Sequence, residues 1–240
     1  MSETLLKRHR AVWKRKPVLR SIYGNWYKKI RTHLKPGTTL EIGGGTGNLK
    51  EYFPQIITSD IVLLPWVNLV LDAHNLPFGD ESLSNVVLFD VLHHLENPTL
   101  FFDDLVRVLQ PEGRVILMEP YVSLASYPLY RFFHPEPMDM SQDPFQLRES
   151  SSDRKPFDAN QAVPTLFFFR HKRRFRERYP NLRWIQCERL SFFAYPLSGG
   201  FDHPSILPPW AVKPLLAIER FLSLLSPILA FRCFVVLQKE

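Results

Sequence analysis

Cysteine is nearly missing from this chain. Only Cys187 and Cys233 occur among 240 residues, too few for a disulfide framework, so a reducing cytoplasm is the expected setting. Glycine is scarce, with 10 residues against 21 prolines, and no segment repeats at a fixed period, which excludes collagen-like and solenoid architectures. Long apolar runs are lacking too. The longest near the end, Phe221 to Phe231, would extend only about 16 Å as a helix, against the roughly 30 Å of a bilayer core. No apolar stretch follows the basic beginning, so no secretory leader is expected.

What is present is enough to build a core. A composition 45% hydrophobic and 13% aromatic excludes a disordered chain and suits one α/β domain with a decorated edge. The net charge of +6 conceals a sharper pattern. Residues 1–35 carry eleven Lys/Arg against one acid, residues 36–160 seven against eighteen, and residues 161–240 twelve against five. Basic ends of this kind serve as solvated helix faces, or meet an anionic membrane surface or a nucleic acid.

The basic beginning reads as a helical extension over 1–35. Leu19, Ile22, Tyr23, Trp26, Tyr27, Ile30 and Leu34 follow the 3-and-4 spacing of one helix face, with Pro17 suited to a first turn and Pro36-Gly37 as the stop. An additional helix is expected around Leu5 to Lys16. From 36 onward a single domain is expected. Strands are predicted at Thr38–Ile42, Ile56–Ser59, Val67–Leu71, Asn85–Asp90 and Arg114–Met118, with a helix starting at Leu49 and another capped by Asn97 and running to Leu109. Such alternation predicts a mostly parallel sheet covered on both faces. Residues 120–160 break the rhythm as a Pro-rich lid insertion that includes Glu149 to Asp153. Asp158 with Gln161 resembles a capping box opening a helix through Arg178. Two further strands, Arg183–Phe193 and Phe231–Gln238, flank an apolar helix.

The chemistry concentrates in Glu41-Ile42-Gly43-Gly44-Gly45-Thr46-Gly47, where a strand ends at an acid and the chain turns on glycines that let the backbone approach a ligand. A dinucleotide-binding turn would need its third glycine at position 48, which is Asn48. The spacing E-x-G-x-G-x-G instead resembles the first motif of the class I S-adenosylmethionine-dependent methyltransferases. Asp60, seventeen residues beyond Gly43, Asp72-Ala73, the stretch from Phe89 to Pro98, and Leu109 to Val115 follow in that family's order. The resemblance implies a Rossmann-like α/β fold with a seven-stranded, mostly parallel sheet, the last strand antiparallel, and helices on both faces. It also implies S-adenosylmethionine as cofactor, held by Glu41, Gly43, Gly45, Thr46, Gly47, Asp60, Ile61, Asp72, Ala73, Phe89 and Asp90. Asp60 would accept both ribose hydroxyls, Asp72 and Ala73 would touch adenine, and Glu41 would face the ammonium.

His93 and His94 line the acceptor side in this reading. Displacement at a sulfonium needs alignment and, for a hydroxyl or acidic carbon, removal of a proton, which a neutral imidazole can accept. His94 is the candidate base; His93 is a weaker one, and both could equally shape the pocket floor. No metal site is expected: His134, Glu136, Asp139 and Asp143 match no ligand geometry and read as loop chemistry.

The acceptor is less legible. Asp90-Val91-Leu92-His93 lacks the paired prolines with which related enzymes hold a planar amino group of DNA, so nucleic acid is disfavoured. Between Trp210 and Leu229 nearly every residue is apolar, more than one core-facing stripe needs. With the basic amino-terminal helix this suits a cytoplasmic enzyme, peripheral to a membrane, methylating oxygen or carbon of a small or lipid-like acceptor. A buried helix or a subunit contact would explain the same excess. An RNA methyltransferase and a non-catalytic cofactor-binding partner subunit remain alternatives.

Overall fold

A computed structural model describes residues 2–149, 155 and 158–240. Ser150 to Asp153 of the expected insertion lie outside the described residues. The strands are β1 (Thr39–Ile42), β2 (Ile57–Asp60), β3 (Leu69–Val70), β4 (Leu83–Phe89), β5 (Leu109–Pro120), β6 (Leu182–Leu190) and β7 (Arg232–Lys239). They form one sheet in the order β3-β2-β1-β4-β5-β7-β6, with β7 antiparallel to both of its neighbours and the other pairs parallel.

Strand β4 explains why both faces are covered. Its side chains alternate between faces, yet it is apolar on each, so neither face can be left to water. Val86 and Leu88 lie with Leu40, Val115, Leu117, Val235 and Leu237 under Phe101, Phe102 and Leu105 of helix α3 (Pro98–Val108). Val87 lies on the opposite face with Ile116, Met118, Phe234 and Val236. There helix α2 (Pro17–Arg31) buries Leu19, Ile22, Trp26 and Ile30, each worth about 1.5–3 kcal/mol if fully removed from water. Pro17 sits in the first turn of α2, as its missing N–H allows. Helix α1 (Ser2–Arg15) precedes it and adds Trp13 to the same cluster.

Several local expectations are corrected. The helix expected to start at Leu49 is a single 3₁₀ turn, Leu49–Glu51, with Pro54 three residues beyond it. Asn97 does not cap α3 with its side chain; it exchanges two hydrogen bonds with the Arg148 backbone, at 2.7 and 3.1 Å, and so holds the insertion. Asp158 and Gln161 form no capping box, since Asp158 accepts the Lys155 N–H and Gln161 reaches Glu136. The helix expected through Arg178 is split by a wide π turn at Leu166–Arg170, which brings the consecutive Phe167 and Phe168 rings both against Phe102. The apolar carboxy-terminal helix is broken as well. Pro227 cannot donate to the Ser223 carbonyl, and the chain tightens to a 3₁₀ turn at Leu222–Leu225 between the helices Val212–Phe221 and Ser226–Leu229. Within the insertion, helix α4 (Ser126–Phe132) lies beside the Ser226–Leu229 segment through the Ala125 N–H on the Ile228 carbonyl, 2.9 Å. Among the described residues no helix is long and apolar enough to cross a membrane.

Candidate functional site

The carboxyl ends of β1, β2 and β4 converge on the glycine turn. Gly43, Gly45 and Gly47 adopt φ of +66°, +46° and +72°, a region that strains any residue with a Cβ. Asp60, at the end of β2, accepts the Gly45 N–H at 2.8 Å and the Val62 N–H at 2.9 Å, one on each oxygen. A carboxylate offers about four lone-pair positions, so acceptor capacity remains. Glu41 stands beside it, 4% exposed, and its Oε2 has no partner. Burial, reinforced by the charge of Asp60, raises its pKa to about 8. Asn48 Oδ1 is also buried without a partner at the end of the turn.

A tryptophan missed by sequence reasoning closes this end. Trp66 Nε1 donates to the Gly45 carbonyl at 2.7 Å, and a Cβ on Gly47 would come within 2.9 Å of the indole. The Arg10 guanidinium lies 4.5 Å over the Trp66 ring, and Leu6 packs near Gly45, so α1 covers the turn. No local pattern marks Trp66; it is found only once β2 and β1 are paired.

Asp72 and Ala73 follow β3. Asp72 is exposed and accepts from His74, from N–H at 2.9 Å and against Nδ1 at 2.6 Å, while His74 Nε2 accepts the Asn97 N–H at 3.2 Å. The segment is therefore tied to the start of α3. Ile61 is exposed next to Asp60, Ala73 is buried, and Thr46 is half-buried within the turn. The Phe89 ring stacks on Tyr23 at 5.2 Å in the α2 cluster, and Asp90, at φ +58°, pairs with Arg232. The Arg232 guanidinium is buried 4.9 Å from the Trp26 ring and 5.4 Å from that of Tyr195. Burial lifts the Asp90 carboxyl above its usual range against the pull of Arg232.

Beyond Asp90 the chain makes a 3₁₀ turn, Leu92–His94, that presents both histidines. Glu119, fully buried at the end of β5, accepts the Val91 and Leu92 N–H groups at 2.9 Å each and meets His93 Nδ1 at 2.7 Å. Glu136 from the insertion lies 3.5 Å from His93 Nε2 and 3.7 Å from His94 Nε2, with Gln161 donating to its carboxylate. Burial works against a charge on His93, but the bond to Glu119, with Glu136 behind it, raises its pKa to about 10. His94 is the reverse: burial and the charge of His93 push it down to about 4, and its Nδ1 lies 3.4 Å from the Asp158 carbonyl. One ring of the pair is thus an imidazolium held between carboxylates and the other is neutral at pH 7. Two sets of side chains, His93 with His94 and Glu136, and His93 with Asp90 and Glu119, each bring three nitrogen or oxygen atoms within 4.8 Å of one another. A cavity of about 200 Å³ lies beside His93, lined by Pro137, Asp139, Gln142 and Asn160.

The orphaned Glu41 carboxylate, the turn whose close approach to Trp66 excludes a Cβ, and the acceptor capacity of Asp60 suit a group carrying a cation beside a vicinal diol. S-adenosylmethionine has that chemistry, and the residues fit it. Residues 40–117 match the family model described as a methyltransferase domain. An uncharacterized protein of Methanocaldococcus jannaschii is 29% identical over 104 residues, which are 40% of this chain and 51% of that protein, so the match spans about half of its length. A SAM-dependent methyltransferase from Archaeoglobus fulgidus superposes with a TM-score of 0.56 at 14% identity, covering 92% of this chain and 94% of that one. A geranyl diphosphate C-methyltransferase from Streptomyces coelicolor gives 0.50 at 11% identity, over 92% and 81% of the two chains.

Proposed function

We propose, for a chain that contains an S-adenosylmethionine-dependent methyltransferase domain in the Rossmann-like class I fold, that it methylates an oxygen or carbon of a small, lipid-like acceptor. The observation that carries this reading is the pairing of two sites at one sheet edge. The Glu41–Asp60 carboxylates lie at the glycine turn, and the His93–His94 pair lies at the end of β4, the neighbouring strand.

When bound, the cofactor supplies an electrophilic methyl group on a sulfonium. Asp60 would hold the ribose hydroxyls, Glu41 would face the ammonium, and Ile61, Asp72 and Ala73 would border the adenine. His94 takes the acceptor proton, since its ring is neutral, while His93 positions it and Glu119 fixes His93. Glu136, reaching both rings, offsets the positive charge that His94 gains with the proton. The planar amino group of a DNA base fits less well, because no rigid proline pair follows Asp90.

The lipid-like character of the acceptor is supported by the surface. Phe221 is 88% and Leu224 92% exposed, Trp210 is 79% exposed, and Phe132 and Phe133 of the α4 end are exposed on the adjoining segment. Large apolar side chains left in water are a liability for a folded monomer, whereas a peripheral enzyme uses them at the bilayer interface. Incubation of the full chain with methyl-labelled S-adenosylmethionine and a lipid extract, against an aqueous metabolite extract and RNA, tests the proposal. Label in a lipid fraction supports it; label confined to RNA, or none with cofactor demonstrably bound, overturns it.

A further inference from the structure

A basic groove lies outside the residues assigned above to cofactor and acceptor. Helix α2 and the Val212–Phe221 helix leave between them a groove of about 390 Å³. From α2 it receives Ser21, Gly24, Asn25 and Lys28, the i, i+3, i+4, i+7 stripe of one helix face, with Arg20 at its border. From the other helix it receives Lys213, Leu216 and Arg220, again one stripe. Gly24 opens the floor: a Cβ there would come within 2.9 Å of the Tyr52 hydroxyl, so glycine is what lets that hydroxyl reach the groove.

The charge is one-sided. Arg20, Lys28, Lys213 and Arg220 line the groove and no acidic side chain does. All four are exposed, and among the described residues none makes an ion pair or a side-chain hydrogen bond. Elsewhere on the surface Arg8 meets Asp202 and Lys29 meets Glu188. Four unpaired cations around a cleft with hydroxyl and amide donors have the chemistry of a phosphate site.

We propose that this groove binds the phosphate of an anionic lipid headgroup at a bilayer surface. Arg220 lines the groove and the next residue, Phe221, begins the exposed apolar ridge, so a phosphate between the helices places acyl chains over Phe221 and Leu224. The lipid as source of the phosphate rests on the peripheral reading above. The phosphate chemistry stands independently of methyl transfer.

The test uses the full chain with vesicles of phosphatidylcholine alone or mixed with phosphatidylglycerol, and with inorganic phosphate and glycerol phosphate in solution. Two paired variants, Arg20→Gln with Lys28→Gln and Lys213→Gln with Arg220→Gln, alter exposed side chains only, and unchanged thermal midpoints and S-adenosylmethionine affinity verify fold and cofactor site. Each pair is expected to weaken partition onto phosphatidylglycerol vesicles at least tenfold and to leave phosphatidylcholine unaffected. Parent-like partition of both pairs overturns the site. Saturable binding of free phosphate without vesicle binding, or tighter, salt-sensitive binding of RNA, overturns the lipid as its occupant. Because cofactor affinity is read separately, a failed groove and a failed methyltransferase reading give different results.

Discussion

Asp60 Oδ2 accepts the Gly45 N–H at 2.8 Å, so the carboxylate proposed to hold the ribose also fixes the glycine turn proposed to receive the rest of the nucleoside. Both functions disappear together in Asp60→Ala. That variant is expected to lose at least tenfold in S-adenosylmethionine affinity by calorimetry, and Asp60→Asn to lose less, because it keeps one acceptor oxygen. Equal affinity in parent and Asp60→Ala would remove the assignment.

Gly47 offers a purely steric counterpart. Its φ of +72° and the 2.9 Å approach of the Trp66 indole leave no place for a methyl group. Gly47→Ala is expected to cost about 1–3 kcal/mol of stability and to weaken cofactor binding, seen in a lower melting temperature and a poorer isotherm.

Glu41 predicts a proton signature. Its pKa in the fold, about 8, lies above the ordinary 4.5, so the protonated form is favoured by folding. The stability this confers is complete below pH 4.5 and is lost as pH rises toward 8, roughly 4–5 kcal/mol as an upper figure. A cation binding beside it must displace the proton. Calorimetry at pH 6.5 in buffers of different ionisation enthalpy should therefore register close to one proton released per S-adenosylmethionine, and Glu41→Gln should register none. Identical proton counts in the two proteins would refute the role.

The histidines separate by readout. His94→Ala is expected to lower turnover about 10²–10⁴-fold with cofactor affinity intact. Since the base acts as its neutral form and its pKa is about 4, turnover should hold steady from pH 8 to 5 and decline only below that. His93→Ala strands the buried Glu119 without its counter-charge and should cost about 3–5 kcal/mol in chemical denaturation. Full activity in His94→Ala would leave the pair a structural role alone.

For the apolar ridge, Phe221→Ser with Leu224→Ser should reduce sedimentation with neutral and anionic vesicles alike while leaving the melting temperature unchanged, because neither side chain packs in the core. Undiminished pelleting would place the membrane contact elsewhere.

The alternation of strands and helices and the glycine turn were legible because each is written locally: glycines at 43, 45 and 47, an acid where β2 ends, apolar residues on both faces of β4; the antiparallel last strand followed from the family resemblance alone. Glu119, Glu136 and Arg232 were not. Glu119 meets His93 only because β4 and β5 pair in parallel, Glu136 approaches from a stretch that reads as loop, and Arg232 is separated from Asp90 by 142 positions. Trp66 carries no periodic signal either. The local misreadings share a cause, since Asn97 and Gln161 are drawn into contacts distant in sequence, while Asp158 turns back to the Lys155 N–H three residues before it.

Strand β7 follows the other six described strands in the chain, yet it lies inside the sheet, with β5 on one flank and β6 on the other. A nascent chain still missing it has two unzipped edges and an Asp90 whose guanidinium counterpart has not emerged from the ribosome. The proposed acceptor chemistry therefore awaits the insertion of this ribbon, and a release stalled just before residue 232 should yield a protease-sensitive, inactive polypeptide that carries an intact glycine turn.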